Sequence, residues 1–379
     1  MPPQKILIFM SNTGGGHRAS ALALTAELHA RYAGRFEIEI IDLLADHLPW
    51  PLCCLPETYP RAVRYTPRFW EWLWKQSARP SIGRTLTAGG AWLARPSLEQ
   101  VIDHFDPDLI VSVHPLAQTI PLHALHEMKR DLPFVTVVTD LETAHPFWFN
   151  SHVQLCCVAS ETAYRRALQC GLEARQLRLY GLPIRPGFGA GGISSASLKE
   201  RLGMAPDLPA VLLTGGGGVG RITDIAVALS RSMYENGSVY GQLAIICGHN
   251  NRLRRALSAQ EWSIPTVIEG FVENMQEWMG ACDCLVTKAG PGTIAESLAS
   301  GLPMVLCGYI LGQEAGNVSF VVERGAGIYN PDPMAIATQI RRWFENDRGE
   351  LAQMAKRARM VARPHATAHI VDAITRLLD

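Results

Sequence analysis

Short apolar runs alternate along this chain with amphipathic stretches, and the alternation predicts the architecture. "ILIFM" (6–10), "DLIVSVHP" (108–115), "FVTVVTD" (134–140), "AVLLTGG" (210–216), "LAIICG" (243–248) and "DCLVTKAG" (283–290) are continuous and bounded by turn residues, as strands buried on both faces are. Helical patterns separate them, beginning with 19–28, where good helix formers follow the first strand directly. Strand then helix, repeated, predicts an α/β fold of parallel, doubly wound sheets. The Gly/Pro/Ser-rich stretch 181–197 interrupts the pattern as an interdomain linker would. After it, "AVLLTGGGGVGRITDIAVAL" repeats the opening plan of strand, glycines and helix. Two Rossmann-like domains, 1–185 and 186–379, facing across a cleft are therefore expected, with the last helical segments, 334–347 and 349–378, packing back toward the first domain.

Composition narrows the class. With 379 residues, 47% hydrophobic and 18% charged, the chain has the make-up of two globular domains with full cores. A formal net charge of zero offers no general attraction to polyanions, so no nucleic-acid partner is expected, and any membrane contact must come from a local patch. The nine cysteines lack the paired CxxC spacing of a zinc site and sit mostly in apolar runs, as reduced core thiols do. No run approaches the roughly 18 apolar residues of a spanning helix, and no leader-like segment opens the sequence. These features predict a cytoplasmic protein that lies on a membrane if it meets one.

The glycine clusters carry the candidate chemistry. In "SNTGGGHRAS" (11–20) three glycines separate the first strand from the first helix and put His17 at the helix mouth. Backbone N–H groups at such a turn bind anions, and Gly14-x-Gly16-x-x-Ala19 with Asp42 ending the second strand also fits a dinucleotide fingerprint. A nucleotide site, a purely structural tight turn and a catalytic turn all remain open there. The titratable His17 favours the last, with an imidazole pKa expected near the ordinary value of about 6.5.

In the second half, Gly290-Pro291-Gly292 opens a helix expected to begin near Thr293, and its free N–H groups suit a diphosphate. Glu296, expected in the first turn, reads equally as a ribose ligand or as the partner of Thr293 in a capping box. Gln313, Glu314 and Asn317 offer amide and carboxylate groups for sugar hydroxyls, or an ordinary polar helix start. Phe271 is a surface for a base or a core residue. The segment 49–80 holds four of the nine Trp, among them Trp70, Trp72 and Trp74, with Arg61, Arg64, Arg68, Lys75 and Arg79 against Glu57 and Glu71. It reads as an interfacial lipid platform or a buried aromatic helix pair.

The stretches "SNTGGGHRASA", "VVTDLETAHPFWF" (137–149), "KAGPGTIAESLASGLP" (288–303) and "GQEAGNV" (312–318) together resemble the monogalactosyldiacylglycerol synthases and their relatives, the processive diacylglycerol glucosyltransferases and the lipid-linked N-acetylglucosaminyltransferases. The resemblance implies a GT-B glycosyltransferase fold with UDP-sugar on the C-terminal domain and acceptor lipid on the N-terminal one. It also implies transfer of a hexose, galactose before glucose, to the hydroxyl of diacylglycerol with inversion and without a metal or other cofactor. By position, His17 corresponds to the catalytic base, Glu296 to the ribose ligand, Gln313 and Glu314 to the hexose ligands, and Gly215, Gly216, Gly217 and Gly218 to the loop beside the diphosphate. Gly15 and Gly16 then line the acceptor side. Asp140, at the end of a strand in the same domain, orients His17, holds the acceptor, or is a helix cap or surface acid, and His145 and Trp148 are acceptor-site or packing residues. The expected partners are UDP-sugar, diacylglycerol and the anionic inner face of a bacterial cell membrane. Two rival classes, an NAD-dependent oxidoreductase and a non-catalytic nucleotide-sugar sensor, leave the second glycine loop or His17 without a task.

Overall fold

Parallel pairing of the apolar runs builds two six-stranded sheets in a computed structural model that describes residues 2–189, 192–215 and 221–379. In the first, β1 (Gln4–Met10), β2 (Phe36–Asp42), β3 (Leu109–Ser112), β4 (Phe134–Val137), β5 (Leu155–Val158) and β6 (Leu177–Leu179) lie in the order β2-β1-β3-β4-β5-β6. The period-2 geometry of a strand splits β1 between two cores. Ile6 and Ile8 join Leu24, Leu28, Val111, Ile370 and Ile374 on one face. Leu7 and Phe9 join Leu98, Ile102, Phe134 and Trp148 on the other. Each fully buried large side chain contributes roughly 1.5–3 kcal/mol, which is why the strands read as unbroken apolar runs.

The second sheet has the same plan. β7 (Ala210–Thr214) is followed by a small hairpin, β8 (Tyr234–Glu235) and β9 (Ser238–Val239), then by β10 (Gln242–Ile246), β11 (Thr266–Glu269), β12 (Cys284–Lys288), β13 (Met304–Gly308) and β14 (Gly327–Tyr329). Its order is β11-β10-β7-β12-β13-β14. In both sheets the chain leaves the first strand toward one edge and later returns to that strand's other side. This creates a switch point between β1 and β3 and another between β7 and β12, where open α/β sheets bind ligands at the strands' carboxyl ends.

The chain divides into two compact units. Met1–Pro186, Leu311–Gly316 and His365–Asp379 form the first, and Gly187–Ile310 with Asn317–Pro364 the second. The division differs from a single cut in the 181–197 stretch. The last helical region is three helices, Pro333–Glu345, Arg348–Val361 and Ala366–Thr375, and only the last belongs to the first unit. The break falls at Ala362, which is extended at ψ 149°, two residues before Pro364, a residue that cannot continue a helix. The Ala366–Thr375 helix docks through Thr367, whose hydroxyl accepts from Ile184 N–H at 3.0 Å and donates to Ile184 C=O at 2.6 Å, and through Tyr32 OH, which donates to Asp372 at 3.0 Å.

Candidate active site

The first glycine loop leaves β1 at the switch point of the first unit. Gly14 and Gly15 hold φ of 84° and 81°, the left-handed region that side chains resist, and Gly15 caps the Gly16–Arg31 helix. Nothing lies within 4 Å of where a Cβ on Gly15 or Gly16 would stand, so the loop presents open backbone. Asp42, the acid a dinucleotide would need, is already engaged. Its carboxylate accepts from Asn12 N–H at 2.8 Å and caps the next helix through Leu44 and Ala45 N–H, which argues against the oxidoreductase reading.

His17 projects from this loop to the ends of the neighbouring strands. Its Nδ1 lies 2.9 Å from the Val113 carbonyl and 2.8 Å from Thr139 Oγ1. A carbonyl oxygen only accepts, so Nδ1 carries the ring proton and Nε2 keeps its lone pair. Loss of hydration lowers the His17 pKa to about 4, well below the ordinary value expected from sequence, and the Val113 hydrogen bond and Asp42 only partly oppose it. The side chain nonetheless keeps a partly exposed edge. His114, which no sequence motif singled out, packs edge-on against it at 4.6 Å between ring centres. Its Nδ1 accepts from Leu116 N–H, its Nε2 faces Thr13 Oγ1 at 3.1 Å, and burial holds it neutral. Thr139 and His114 each stand just beyond a buried strand, and that position in "VVTD" and "VSVH" was the available signal.

Asp140 does not orient His17. Its Oδ2 accepts from the Trp148 indole N–H at 2.7 Å, and burial raises its pKa to about 6 against that bond and one from the His145 backbone. Trp148 is wholly buried, with its ring centre 6.0 Å from that of His17, so it packs beside that ring. His145 is buried too. Its Nε2 reaches Ser77 Oγ at 3.2 Å and Trp74 C=O at 3.4 Å, its ring lies 5.1 Å from Trp74, and burial lowers its pKa to about 4.

The Leu311–Gly316 segment belongs to this unit, whereas the resemblance put Gln313 and Glu314 in the C-terminal domain. Gln313 Oε1 accepts from Tyr59 OH at 2.9 Å, Gly316 N–H donates to Thr143 Oγ1 at 3.2 Å, and Glu314 is buried. The charges of Glu314 and Asp140 both act on Tyr59, which ties these side chains to one neighbourhood.

The second unit gathers a different set at its own switch point. Thr214 and Thr287 share a 2.9 Å hydrogen bond at the ends of β7 and β12, from which the two glycine stretches emerge. A Cβ on Gly215 would stand 2.3 Å from the Ile222 side chain, which would have to shift to admit it. Gly216, Gly217 and Gly218 lie outside the described residues. The Pro291–Ser300 helix starts at proline with Gly290 as its cap. Thr293 is therefore not a cap, Glu296 is in the second turn, and the capping box is not formed. Gly292 faces open space, and Lys288 Nζ would lie 3.1 Å from a Cβ on Gly290. Asn317 is buried and donates to the Ala289 carbonyl at 2.9 Å, so it props the Gly290 turn. Phe271 is exposed, not core, and stacks on His249 at 4.5 Å.

Residues 55–105 form three helices, Leu55–Tyr65, Pro67–Ser77 and Pro80–Phe105, the first two of them within the aromatic segment 49–80. Trp70 packs edge-on against Tyr59 and Trp74 against His145, and both are partly buried. Trp72 is exposed and stacks on Phe69, and Trp50 and Trp92 are 81% and 73% exposed. Arg61, Arg64 and Arg68 are exposed and make no ion pair among the described residues. Among those residues, no helix is long and apolar enough to cross a membrane, and no group of three His, Cys, Asp or Glu is placed to hold a metal ion.

Residues 17–184 match the family model of monogalactosyldiacylglycerol (MGDG) synthase, and 211–372 that of the glycosyltransferase family 28 C-terminal domain. A probable monogalactosyldiacylglycerol synthase of Glycine max is 43% identical over 386 residues, covering 99% of this chain and 72% of the relative. The chain belongs to the monogalactosyldiacylglycerol synthase family. As a member it is a glycosyltransferase acting on diacylglycerol, a diacylglycerol 3-β-galactosyltransferase. The MurG of Acinetobacter baumannii superposes with a TM-score of 0.62 at 17% identity, covering 99% of this chain and 100% of that one. Anabaena HepE, solved with UDP-glucose, gives 0.58 at 17% identity and 99% of each chain. At such identity the likeness speaks for the fold alone, which is GT-B. The synthases of Glycine max, Nicotiana tabacum and Arabidopsis thaliana are chloroplastic by description, which overturns the expectation of a cytoplasmic protein on the inner face of a bacterial cell membrane. Address signals are read apart from the folded domains, so domain composition and motifs do not encode the compartment.

Proposed function

We propose that this synthase transfers galactose from UDP-galactose to diacylglycerol in one inverting displacement with His17 as general base. His17 Nε2 takes the proton of the acceptor hydroxyl. The hydroxyl oxygen forms the bond to the anomeric carbon, and the bond from that carbon to UDP breaks on the opposite face, converting α to β. The observation that carries this reading is the Val113 carbonyl on His17 Nδ1, which leaves Nε2 as the basic atom. The imidazolium that forms keeps the Val113 bond, and Asp42 lends it charge stabilisation.

The donor nucleotide takes the switch point of the second unit. Gly215, Gly290 and Gly292 supply close-approaching backbone, the Pro291–Ser300 helix its N-terminus, and Lys288 a nearby cation for the diphosphate. Glu296 accepts from the ribose hydroxyls, Phe271 carries the base, and Gln313 with Glu314 reads the hexose. Departing UDP is stabilised by these groups with no metal required. The exposed Trp50, Phe69, Trp72 and Trp92 with Arg61, Arg64 and Arg68 dock the protein on the anionic lipid surface from which diacylglycerol is drawn. The deciding experiment is product analysis with UDP-galactose or UDP-glucose and diacylglycerol vesicles. A β-galactosyl product that disappears in His17→Ala, with UDP binding retained, is expected. An α-linked product, or full turnover without His17, would refute the reading.

A further inference from the structure

One buried titratable group touches the base without taking part in the proton transfer. His114 is 3% exposed and stands two residues beyond β3, its ring edge-on to that of His17 at 4.6 Å between centres. Leu116 N–H can only donate, so the His114 Nδ1 it meets at 3.3 Å carries a lone pair. Burial keeps the ring neutral, which puts its single proton on Nε2, donating to Thr13 Oγ1 at 3.1 Å. The backbone beneath the ring is held as well. His114 C=O accepts from Gln118 Nε2 at 3.0 Å and from Ser112 Oγ at 3.2 Å, Gln118 Oε1 accepts from Thr136 Oγ1 at 2.6 Å, and these three side chains are fully buried.

This scaffold bears on His17 from two sides. Val113, whose carbonyl accepts from His17 Nδ1, is the residue before His114. Thr13 belongs to the glycine loop, and because Gly14, Gly15 and Gly16 have no side chains, its hydroxyl is the one side-chain tie between Asn12 and His17. An apolar residue in place of His114 would fill the space but leave Thr13 untied and Leu116 N–H unpaired. The titratable groups acting on the His17 ring are His114 and, from the end of β2, Asp42, while Thr139 and Trp148 bring no charge. We propose that His114 is a positioning residue for the catalytic base: pinned at both nitrogens, its ring walls off the Val113 bond and keeps the His17 imidazole turned with Nε2 to the acceptor. Without that wall, water competes for the Val113 carbonyl and the imidazole turns more freely. The inference rests on the reading of His17 as general base.

The test measures kcat, the KM for UDP-galactose and the pH–rate profile in the wild type, His114→Ala, His114→Gln and Thr13→Val, each also combined with His17→Ala. His114→Ala should lower kcat about 10- to 100-fold, the cost of a misplaced catalytic group, with the KM for UDP-galactose unchanged. Its acid limb should move upward relative to the wild type, because the opened space rehydrates the imidazole. His114→Gln, whose amide N–H replaces the donor to Thr13, should recover part of kcat. Thr13→Val cuts the tie without opening a cavity and should lower kcat about 3- to 10-fold, which keeps the test intact if His114→Ala does not fold. None of the three should lower the residual rate of His17→Ala, since each acts through His17. An equal loss with and without His17, or full turnover in His114→Ala and Thr13→Val, makes His114 a packing residue and overturns the inference alone. Wild-type kcat in His17→Ala overturns the base assignment itself.

Discussion

Acidification is the sharpest probe of His17. An imidazole at its ordinary pKa of about 6.5 would be about 90% protonated at pH 5.5, and a base in that state is inactive. With its pKa lowered to about 4, His17 would be only about 3% protonated at the same pH. Initial rates of galactose transfer between pH 4.5 and 8 should therefore show no loss from this group until near the acid end. Asp140, raised to about 6, adds a separate titration that Asp140→Asn removes while leaving an oxygen for the Trp148 indole. Stability moves with the same groups. A histidine whose folded pKa is depressed contributes fully above the unfolded pKa and loses that contribution as pH falls toward the folded value, about 3 kcal/mol for His17 between pH 6.5 and 4. His145 and His114 act in the same direction. Asp140 opposes them, since its raised pKa contributes stability at low pH that is lost as pH rises through about 6. The melting temperature should fall on acidification below pH 6.5. An acid limb centred near 6.5 that survives in Asp140→Asn would refute a buried, pre-deprotonated base.

The donor site and the lipid surface are tested separately. Glu296→Ala should weaken UDP binding about tenfold, the value of a charge-assisted hydrogen bond, without the stability loss of a broken cap, because Thr293 is not a cap; calorimetry showing unaltered affinity would remove Glu296 from the ribose site. Galactose transfer should persist in EDTA, and complete loss restored by Mg²⁺ or Mn²⁺ would overturn metal-free departure of UDP. Trp50, Trp72 and Trp92 replaced together by Ala, or Arg61, Arg64 and Arg68 by Glu, should abolish sedimentation with anionic vesicles but spare UDP binding; a folded variant that still binds vesicles places the lipid surface elsewhere. Added salt should weaken the wild-type interaction, as it does for exposed charges.

Much of this protein is written locally. Ile6 to Met10 reads as a strand buried on both faces, because five consecutive apolar residues find cover there and the glycines that follow end the run too early for a buried helix. The glycine turns announce themselves for a similar reason: left-handed backbone at Gly14 and Gly15 disfavours a side chain, and a Cβ at Gly215 would crowd Ile222. The family motifs, and with them the reaction, were legible in the same way. What the sequence could not carry were relations between distant residues. The Val113 carbonyl, a group present in every residue and so invisible as a signal, selects the His17 tautomer across 96 positions. Burial lowers the pKa that composition left at its ordinary value. Trp70 and Trp74 look identical to Trp72 along the chain, but helix rotation sends two inward and one out. Gln313 acquires its partner only because folding brings the Leu55–Tyr65 helix to it. Periodicity and steric exclusion act on neighbours in the chain, whereas desolvation and hydrogen-bond pairing depend on neighbours in space, and only the tertiary structure supplies those.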